Sequence, residues 1–273
     1  ITPKDIRKWQ NSLTAYRDEN GKPYSQTYLK AINNQLTAMF NYAVKYYDLH
    51  ENPCTKAGSM GKSHAEEMNF WTKAEFEQFI VAVQDKPASY TAFMTLYYTG
   101  MRVGELCALT PADVNLVGHT ITINKTFQRI NGRDVIWPPK TPKSNRVVTI
   151  PQTLANCLKE YMDKCYEIQP DDRLFPYTKS FLNHEMLRGC KKSGVKKIRV
   201  HDLRHSHASL LIEMGCQPLL IADRLGHEKI QTTLNTYSHL YPNKQAEVAA
   251  QLENVMNGTT VPNGSQMAGV ANL

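Results

Sequence analysis

The chain lacks the marks of several common protein classes. Its six cysteines, Cys54, Cys107, Cys157, Cys165, Cys190 and Cys216, are scattered at odd spacings with no CxxC pair. Neither a disulfide framework nor a zinc ribbon is indicated, which fits a reducing cytosol. No apolar run reaches the ~18 residues of a membrane span, and the first residues carry no signal-peptide pattern. There is no HExxH pair, no phosphate-binding glycine loop and no carboxylate cluster of metal-ligand spacing, so neither a metal nor ATP is expected as a cofactor. No internal repeat is apparent. The chain starts at Ile1-Thr2-Pro3 without a methionine and is read as a fragment lacking an upstream domain.

What is present is a chain of 273 residues, long enough for two ordinary domains, with 41% apolar and 21% charged residues. That balance affords a packed core and argues against wholesale disorder. The formal net charge is +7, which favours a polyanionic partner without identifying one. Seven basic residues fall between Arg188 and Arg204, opposed only by Asp202. Lys191, Lys192, Lys196, Lys197 and Arg199 lead straight into the segment that holds His201, and a phosphate-facing role is expected for them.

Residues 1–56 read as helical. Thr2 caps a helix with Pro3 at its first position, and Ile6, Trp9 and Leu13 follow at helical spacing. Asn20-Gly21-Lys22-Pro23 is a turn. Ser25 caps a second run with the apolar stripe Leu29, Ile32, Leu36, Phe40 and Val44, expected to close at Asn52-Pro53. Residues 57–68 are small and polar and read as a linker. A second domain, 69–242, opens on the capping box Thr72-Lys73-Ala74-Glu75. A helix through Tyr90–Tyr98 is expected to stop at Gly100, followed by a short one over Arg102–Leu109. The period changes after Asp113: His119–Phe127 reads as one strand, Asn131-Gly132 as a hairpin turn, Arg146–Ile150 as a further strand. The prolines of Pro138-Pro139-Lys140-Thr141-Pro142 place Lys140 on a loop. Helices resume at Pro151. Ala246, Ala249, Leu252 and Met256 form a late stripe within 243–256, which docks either on a neighbouring subunit or on its own chain; 257–273 is expected to be disordered. The fold class is therefore mainly α with a small antiparallel β-sheet.

Chemistry concentrates between His201 and Tyr237. His201 and Arg204 are three apart, hence about 60° apart around a helix axis. Gly226 ends the next helix and leaves His227 just past its cap. A phenol has an unperturbed pKa of about 10 and attacks a phosphodiester only with help. Something must take its proton, offset the charge on the non-bridging oxygens and protonate the leaving alcohol. Arg204 and Arg102 offer guanidinium forks that match phosphate oxygens. Glu105, one turn from Arg102, is placed to hold a neighbour, and Lys140 on its loop is placed to act as a general acid.

Each residue has a plainer reading. Arg102–Glu105 is also an ordinary surface pair, and Lys140 and Lys143 also suit simple neutralisation of a DNA backbone. His201, His205 and His207 with Cys216 could hold a metal. Tyr237 is one of 14 tyrosines, with Tyr241 close by.

Taken in order, TGMRVGEL at 99–106, HDLRH at 201–205, LGH at 225–227 and TTLNTYSH at 232–239 resemble the tyrosine recombinase (phage integrase) family, most closely integrases of Gram-positive conjugative transposons. The resemblance spans about 70–250, and 1–56 resembles the family's helical core-binding, SAM-like DNA-binding domain. It implies that Arg102 and Arg204 grip the scissile phosphate, that His201 helps in proton transfer and that His227 bonds a non-bridging oxygen. Lys140 matches the hairpin lysine, with Lys143 as the rival three residues on. Glu105 matches the acidic support residue, and Tyr237, ten residues after His227, matches the nucleophile.

The implied function is site-specific recombination through a 3′-phosphotyrosyl intermediate, integrating and excising a mobile element. The implied partners are double-stranded DNA, further copies in a synaptic tetramer and an accessory excision factor, in the bacterial cytoplasm and away from any membrane. Lys143, Arg146, Lys191, Lys192, Lys196, Lys197 and Arg199 are the expected DNA-binding residues. Many such integrases carry a further arm-type DNA-binding domain, and the resemblance implies that the expected missing upstream part is of that kind. Three rivals stay open: a type IB topoisomerase, a DNA-binding regulator with a decayed site and a metal-dependent nuclease.

Overall fold

The structure is a computed structural model that describes residues 1–63, 69–139 and 141–241, with single positions at 249, 253 and 256. It divides into two compact units, 1–68 and 69–273. Lys140 and most of 243–273 lie outside the described residues, so the late stripe and the tail are not placed.

The first unit holds α1 (Pro3–Ala15), α2 (Gln26–Tyr46) and α3 (Pro53–Ala57). Thr2 caps α1 through a full capping box with Asp5, and Ser25 caps α2. Ile6, Phe40, Cys54 and Ala57 form the small core, with Leu36 against it. Buried Gln10 ties the helices together, its Nε2 donating at 2.8 Å to both Asn33 Oδ1 and the Gly58 carbonyl. Asn52-Pro53 opens a helix instead of closing one. Asn52 Oδ1 accepts from the Cys54 N–H, and proline occupies the first helical position, where its missing N–H is no loss. Val44 of the expected stripe is exposed, at 38%.

The second unit begins with α4 (Lys73–Ala82), capped by the Thr72–Glu75 box, and α5 (Pro87–Thr99). α5 is buried nearly all round and forms the centre of the core. Its threonines satisfy themselves there: Thr95 Oγ1 donates to the Thr91 carbonyl and Thr99 Oγ1 to that of Thr95. Phe76 stacks on Tyr97 with centroids 3.6 Å apart. Then come α6 (Val103–Leu106), β1 (Val114–Asn115), β2 (Thr120–Ile123), β3 (Thr126–Ile130), β4 (Arg133–Trp137) and β5 (Arg146–Thr149).

The strands make two antiparallel sheets. One has the order β1-β2-β5, with Ile121 opposite Val148; the other is the β3–β4 hairpin, turning at Asn131-Gly132 with positive φ at both. The single strand expected over His119–Phe127 is interrupted at Asn124-Lys125. Lys125 leaves the pleat to meet Asp113 at 2.8 Å, and the chain passes from one sheet to the next. Arg173 fixes the hairpin by lying over the Phe127 ring at 4.1 Å and reaching Asp134 at 3.1 Å.

The remaining helices are α7 (Gln152–Asp163), α8 (Lys179–Ser193), α9 (Leu203–Glu213), α10 (Pro218–Leu225) and α11 (Ile230–Tyr237). α8 packs on α4, and its buried Glu185 gathers Lys86, Ser89 and Arg188. α9 lies on α5. This stacking brings Gly100, at the end of α5, against α9 and α10.

Candidate active site

Arg102 caps α6, and the helix is a single turn, shorter than the expected Arg102–Leu109. Glu105 sits one turn in, so its carboxylate can turn back on the cap. Its Oε2 accepts the Arg102 backbone N–H and its Oε1 the Arg102 Nη1, both at 2.8 Å. From β5, Arg146 reaches the same carboxylate, Nη2 to Oε2 at 2.9 Å. Burial alone would raise the Glu105 carboxyl, but the bonds and charge of Arg146, helped by Arg102, hold it below the usual carboxylate range. One buried anion thus orients two guanidiniums. They have different duties: Arg102 is 39% exposed and lines the cleft described below, while Arg146 is 6% exposed.

That corrects the expected DNA-facing place of Arg146. Further donors go to the Ser144 and Arg224 carbonyls, so the side chain is spent on partners within the protein.

Arg204 rises from the first turn of α9 and is 4% exposed. Nη1 donates to the Gly100 carbonyl at 2.8 Å and Nη2 to the Leu225 carbonyl at 2.7 Å. Two of the fork's five donors are thereby used, which leaves Nε–H and one hydrogen on each Nη for an anion. Burial, then the Arg102 cation, lowers its pKa to about 9, still cationic at neutral pH. The Gly100 carbonyl is available because Gly100 sits at φ +65°. A Cβ there would lie 2.5 Å from His207 and 2.7 Å from Leu225, so only glycine permits this approach.

Gly226 ends α10 in the left-handed conformation and delivers His227. His227 Nδ1 and Thr233 Oγ1 are 2.8 Å apart, with Thr233 wholly buried. Burial, then Arg204 and Arg102, lowers the His227 pKa to about 4, so the ring is neutral. With the Thr233 hydroxyl donating, the ring proton sits on Nε2, ready to bond a phosphate oxygen.

His201 lies in a one-turn 3-10 segment, Val200–Asp202, just before α9, so it and Arg204 belong to consecutive elements and not to one helix. It faces the cleft, and its pKa is lowered first by burial and then by His205 and Arg204. Tyr237, at the end of α11, is 1% exposed. Its Oη is 2.8 Å from His205 Nδ1. Burial pushes the phenol up to about 12, against the pull of Arg204.

Arg102, Glu105, His201 and His227 share an open cleft of about 800 Å³, together with Lys125, Gln128, Lys179, Asn183 and Arg199. Lys140 lies outside the described residues; its neighbours Pro139 and Thr141 line the cleft. Lys143 is exposed in the turn Pro142–Ser144.

The basic run divides. Arg199 lines the cleft, 78% exposed and joined to Asp202 at 2.7 Å. Lys192 pairs with Asp85 at 3.2 Å and Lys196 with Glu75 at 3.4 Å, and neither borders the cleft. Lys191 and Lys197 are exposed. Lys191 and Lys192 occupy the last turn of α8, roughly 18 Å along the axis from Lys179.

Sequence reading missed Lys179, Lys125 and the supporting Arg224. Thr178 as a cap for α8 was the available signal for Lys179, which it places at the start of the helix. Arg224 Nε donates to His207 Nε2, and its Nη atoms donate to the Thr149 and Tyr98 carbonyls. His205 and His207 thus face different partners, Tyr237 and Arg224, and the histidines do not converge on one point as a metal site requires.

Comparison with known proteins bears on the fold and the family. Residues 69–244 match the phage integrase family. The ICEBs1 integrase of Bacillus subtilis (strain 168) is 33% identical over 244 residues, covering 83% of this chain and 66% of that protein. The integrase of Staphylococcus phage L54a is 29% identical, covering 89% and 79%. This chain thus spans roughly two thirds to four fifths of these relatives. Among solved structures, the Tn1549 transposon integrase in complex with a circular intermediate DNA superposes with a TM-score of 0.74 at 20% identity, covering 93% of this chain and 85% of that one. The fold is shared with that protein, and the mainly helical architecture with small antiparallel sheets is that of a tyrosine recombinase catalytic domain. By its matched domain and by its likeness to the ICEBs1 integrase, the chain belongs to the phage integrase family.

Proposed function

We propose that this chain cleaves and rejoins double-stranded DNA as a site-specific tyrosine recombinase, integrating and excising a mobile element. The observation that carries this reading is that Arg102 and His227 line one cleft, buried Arg204 lies within electrostatic reach of both and of Tyr237, and the Tyr237 phenol is bonded to His205. The relatives are named integrases, which supports the same activity.

The chemistry follows from the charges. A phosphodiester entering the cleft meets the free Nε–H and Nη hydrogens of Arg204, the exposed face of Arg102 and the Nε2 of His227. These donors offset the charge that builds on the non-bridging oxygens. Glu105 and Arg146 keep Arg102 aimed, so little reorganisation is needed at the moment of reaction. Tyr237 attacks phosphorus, forms the 3′-phosphotyrosyl bond and releases a 5′-hydroxyl, protonated by Lys140 or Lys143. A 5′-hydroxyl from a partner duplex reverses the step. The phosphotyrosyl bond conserves the energy of the broken phosphodiester, so the exchange runs without ATP.

The assembly that does this is a tetramer of the chain on two duplexes, directed by an accessory excision factor in the bacterial cytoplasm. No helix among the described residues is long and apolar enough to cross a membrane.

The test is a nicked suicide duplex incubated with a second duplex that offers a 5′-hydroxyl. Formation of a recombinant joint is the expected result. Relaxation of a supercoiled plasmid in a parallel reaction, without such a joint here, points to a topoisomerase, and no cleavage at all points to a binding regulator.

A further inference from the structure

We propose that His205, the residue after Arg204, is a second catalytic imidazole, taking the phenol proton as Tyr237 attacks and returning it on rejoining. The proposal rests on the reading of Tyr237 as nucleophile and assigns a residue that the motif comparison left without a role.

The geometry separates the two histidines of the HDLRH segment. His201 borders the cleft, where DNA enters. His205, four residues on, presents Nδ1 to Tyr237 Oη at 2.8 Å, and it is the hydrogen-bond partner of that oxygen among the described residues. The His201 and His205 rings stand edge to face with centroids 5.8 Å apart, and His205 and Tyr237 follow at 5.7 Å. One imidazole therefore faces the substrate and the other faces the nucleophile.

The surroundings set when the proton moves. Burial lowers His205 and favours the neutral ring; in the tautomer protonated on Nε2, Nδ1 offers its lone pair to the Tyr237 hydroxyl at 2.8 Å. Asp202 on the preceding turn favours its protonation, whereas Arg204 and Arg199 oppose it. His201 and, from the loop after α10, His227 are its further titratable neighbours, and Tyr237 faces it from α11. With the phenol raised by burial, transfer does not run ahead of attack. When a phosphate settles on Arg204, its negative charge offsets the cation that opposed an imidazolium, and transfer accompanies bond formation.

The step balances. Oη–H breaks as Nδ1–H forms, Oη–P forms as the bond from phosphorus to the 5′ oxygen breaks, and that oxygen leaves as a hydroxyl with a proton from the loop lysine or water. Rejoining runs every transfer backwards.

The test is single-turnover adduct formation on a nicked duplex whose sequence the protein itself selects from a random pool. His205→Ala and His205→Gln are compared with wild type across pH, each checked for retained DNA binding; His205→Gln keeps polarity and bulk should the alanine variant misfold. The expected result is a rate on the order of 100-fold lower in both. The profile should shift to alkaline pH, and added imidazole should recover part of the His205→Ala rate. Wild-type rates or faster ones in both variants overturn the proposal and make the bond a mere restraint on the phenol. A slow rate with an unchanged profile and no imidazole recovery also overturns it, leaving His205 a packing role. If wild-type protein forms no adduct at Tyr237, the nucleophile assignment itself fails, which these variants cannot mimic.

Discussion

Glu105 is the residue on which the arginine pair beside the cleft depends. A carboxylate 7% exposed, shared by two guanidiniums, stabilises the fold only while ionised. Its native pKa lies below the unfolded value, so its contribution is complete above the ordinary carboxylate range and is lost as pH falls through the native value. Glu105→Ala leaves Arg146 buried without its anion. It should cost about 3–5 kcal/mol at neutral pH, and the difference from wild type should shrink in acid. Denaturant unfolding at several pH values checks both statements.

His227 has the same sign but acts at higher pH. Its native pKa is depressed to about 4, so the unfolded chain binds protons first as pH drops below about 6.5. Stability should decline between those two pH values by up to about 1.4 kcal/mol per pH unit per histidine kept neutral. His227→Gln should flatten that decline in a thermal melt followed against pH.

At the scale of elements, short-range signals were readable and long-range ones were not. Thr2, Ser25 and Thr72 cap helices where expected, because a cap is decided within four residues. Asn131-Gly132 turns the hairpin for the same reason. The break at Asn124-Lys125 depends on Asp113, twelve residues away, and alternation alone does not reveal it. The Arg146–Glu105 pair spans 41 positions and turned an expected DNA contact into an internal support. The partners of the basic run are equally illegible locally, since Asp85 and Glu75 pair with Lys192 and Lys196 from across the fold. The ordered motifs pointed to Arg102, Glu105, His201 and His227, which line one cleft, yet the burial of Tyr237 against His205 appears only when α9 and α11 are packed.

Gly100 shows how an element boundary supports chemistry. Its positive φ and its contacts with His207 and Leu225 let its carbonyl hold Arg204. Gly100→Ala adds left-handed strain and overpacking, together on the order of 2–5 kcal/mol. The melting temperature should fall, and whatever protein remains folded should form adduct slowly, because Arg204 loses its anchor.

Across the whole molecule the excess of positive charge acts through position, not total. Lys179 and Arg199 border the cleft, whereas Lys192 is held by Asp85 at the far end of α8. Lys179→Ala should lower the slope of log affinity against log salt by about one, and Lys192→Ala should leave it nearly unchanged. Fluorescence anisotropy on one duplex over a range of salt concentrations separates the two. Equal slopes for both variants would place the DNA path elsewhere.

The central claim is that one tyrosine among 14 makes the covalent bond to DNA. Its most direct measurement is to trap the adduct on a nicked duplex, digest the protein and identify the peptide that carries the nucleotide. The account predicts a single site, Tyr237, and no adduct from Tyr237→Phe. Attachment at Tyr241 or at any other residue, or an adduct that survives Tyr237→Phe, would contradict it.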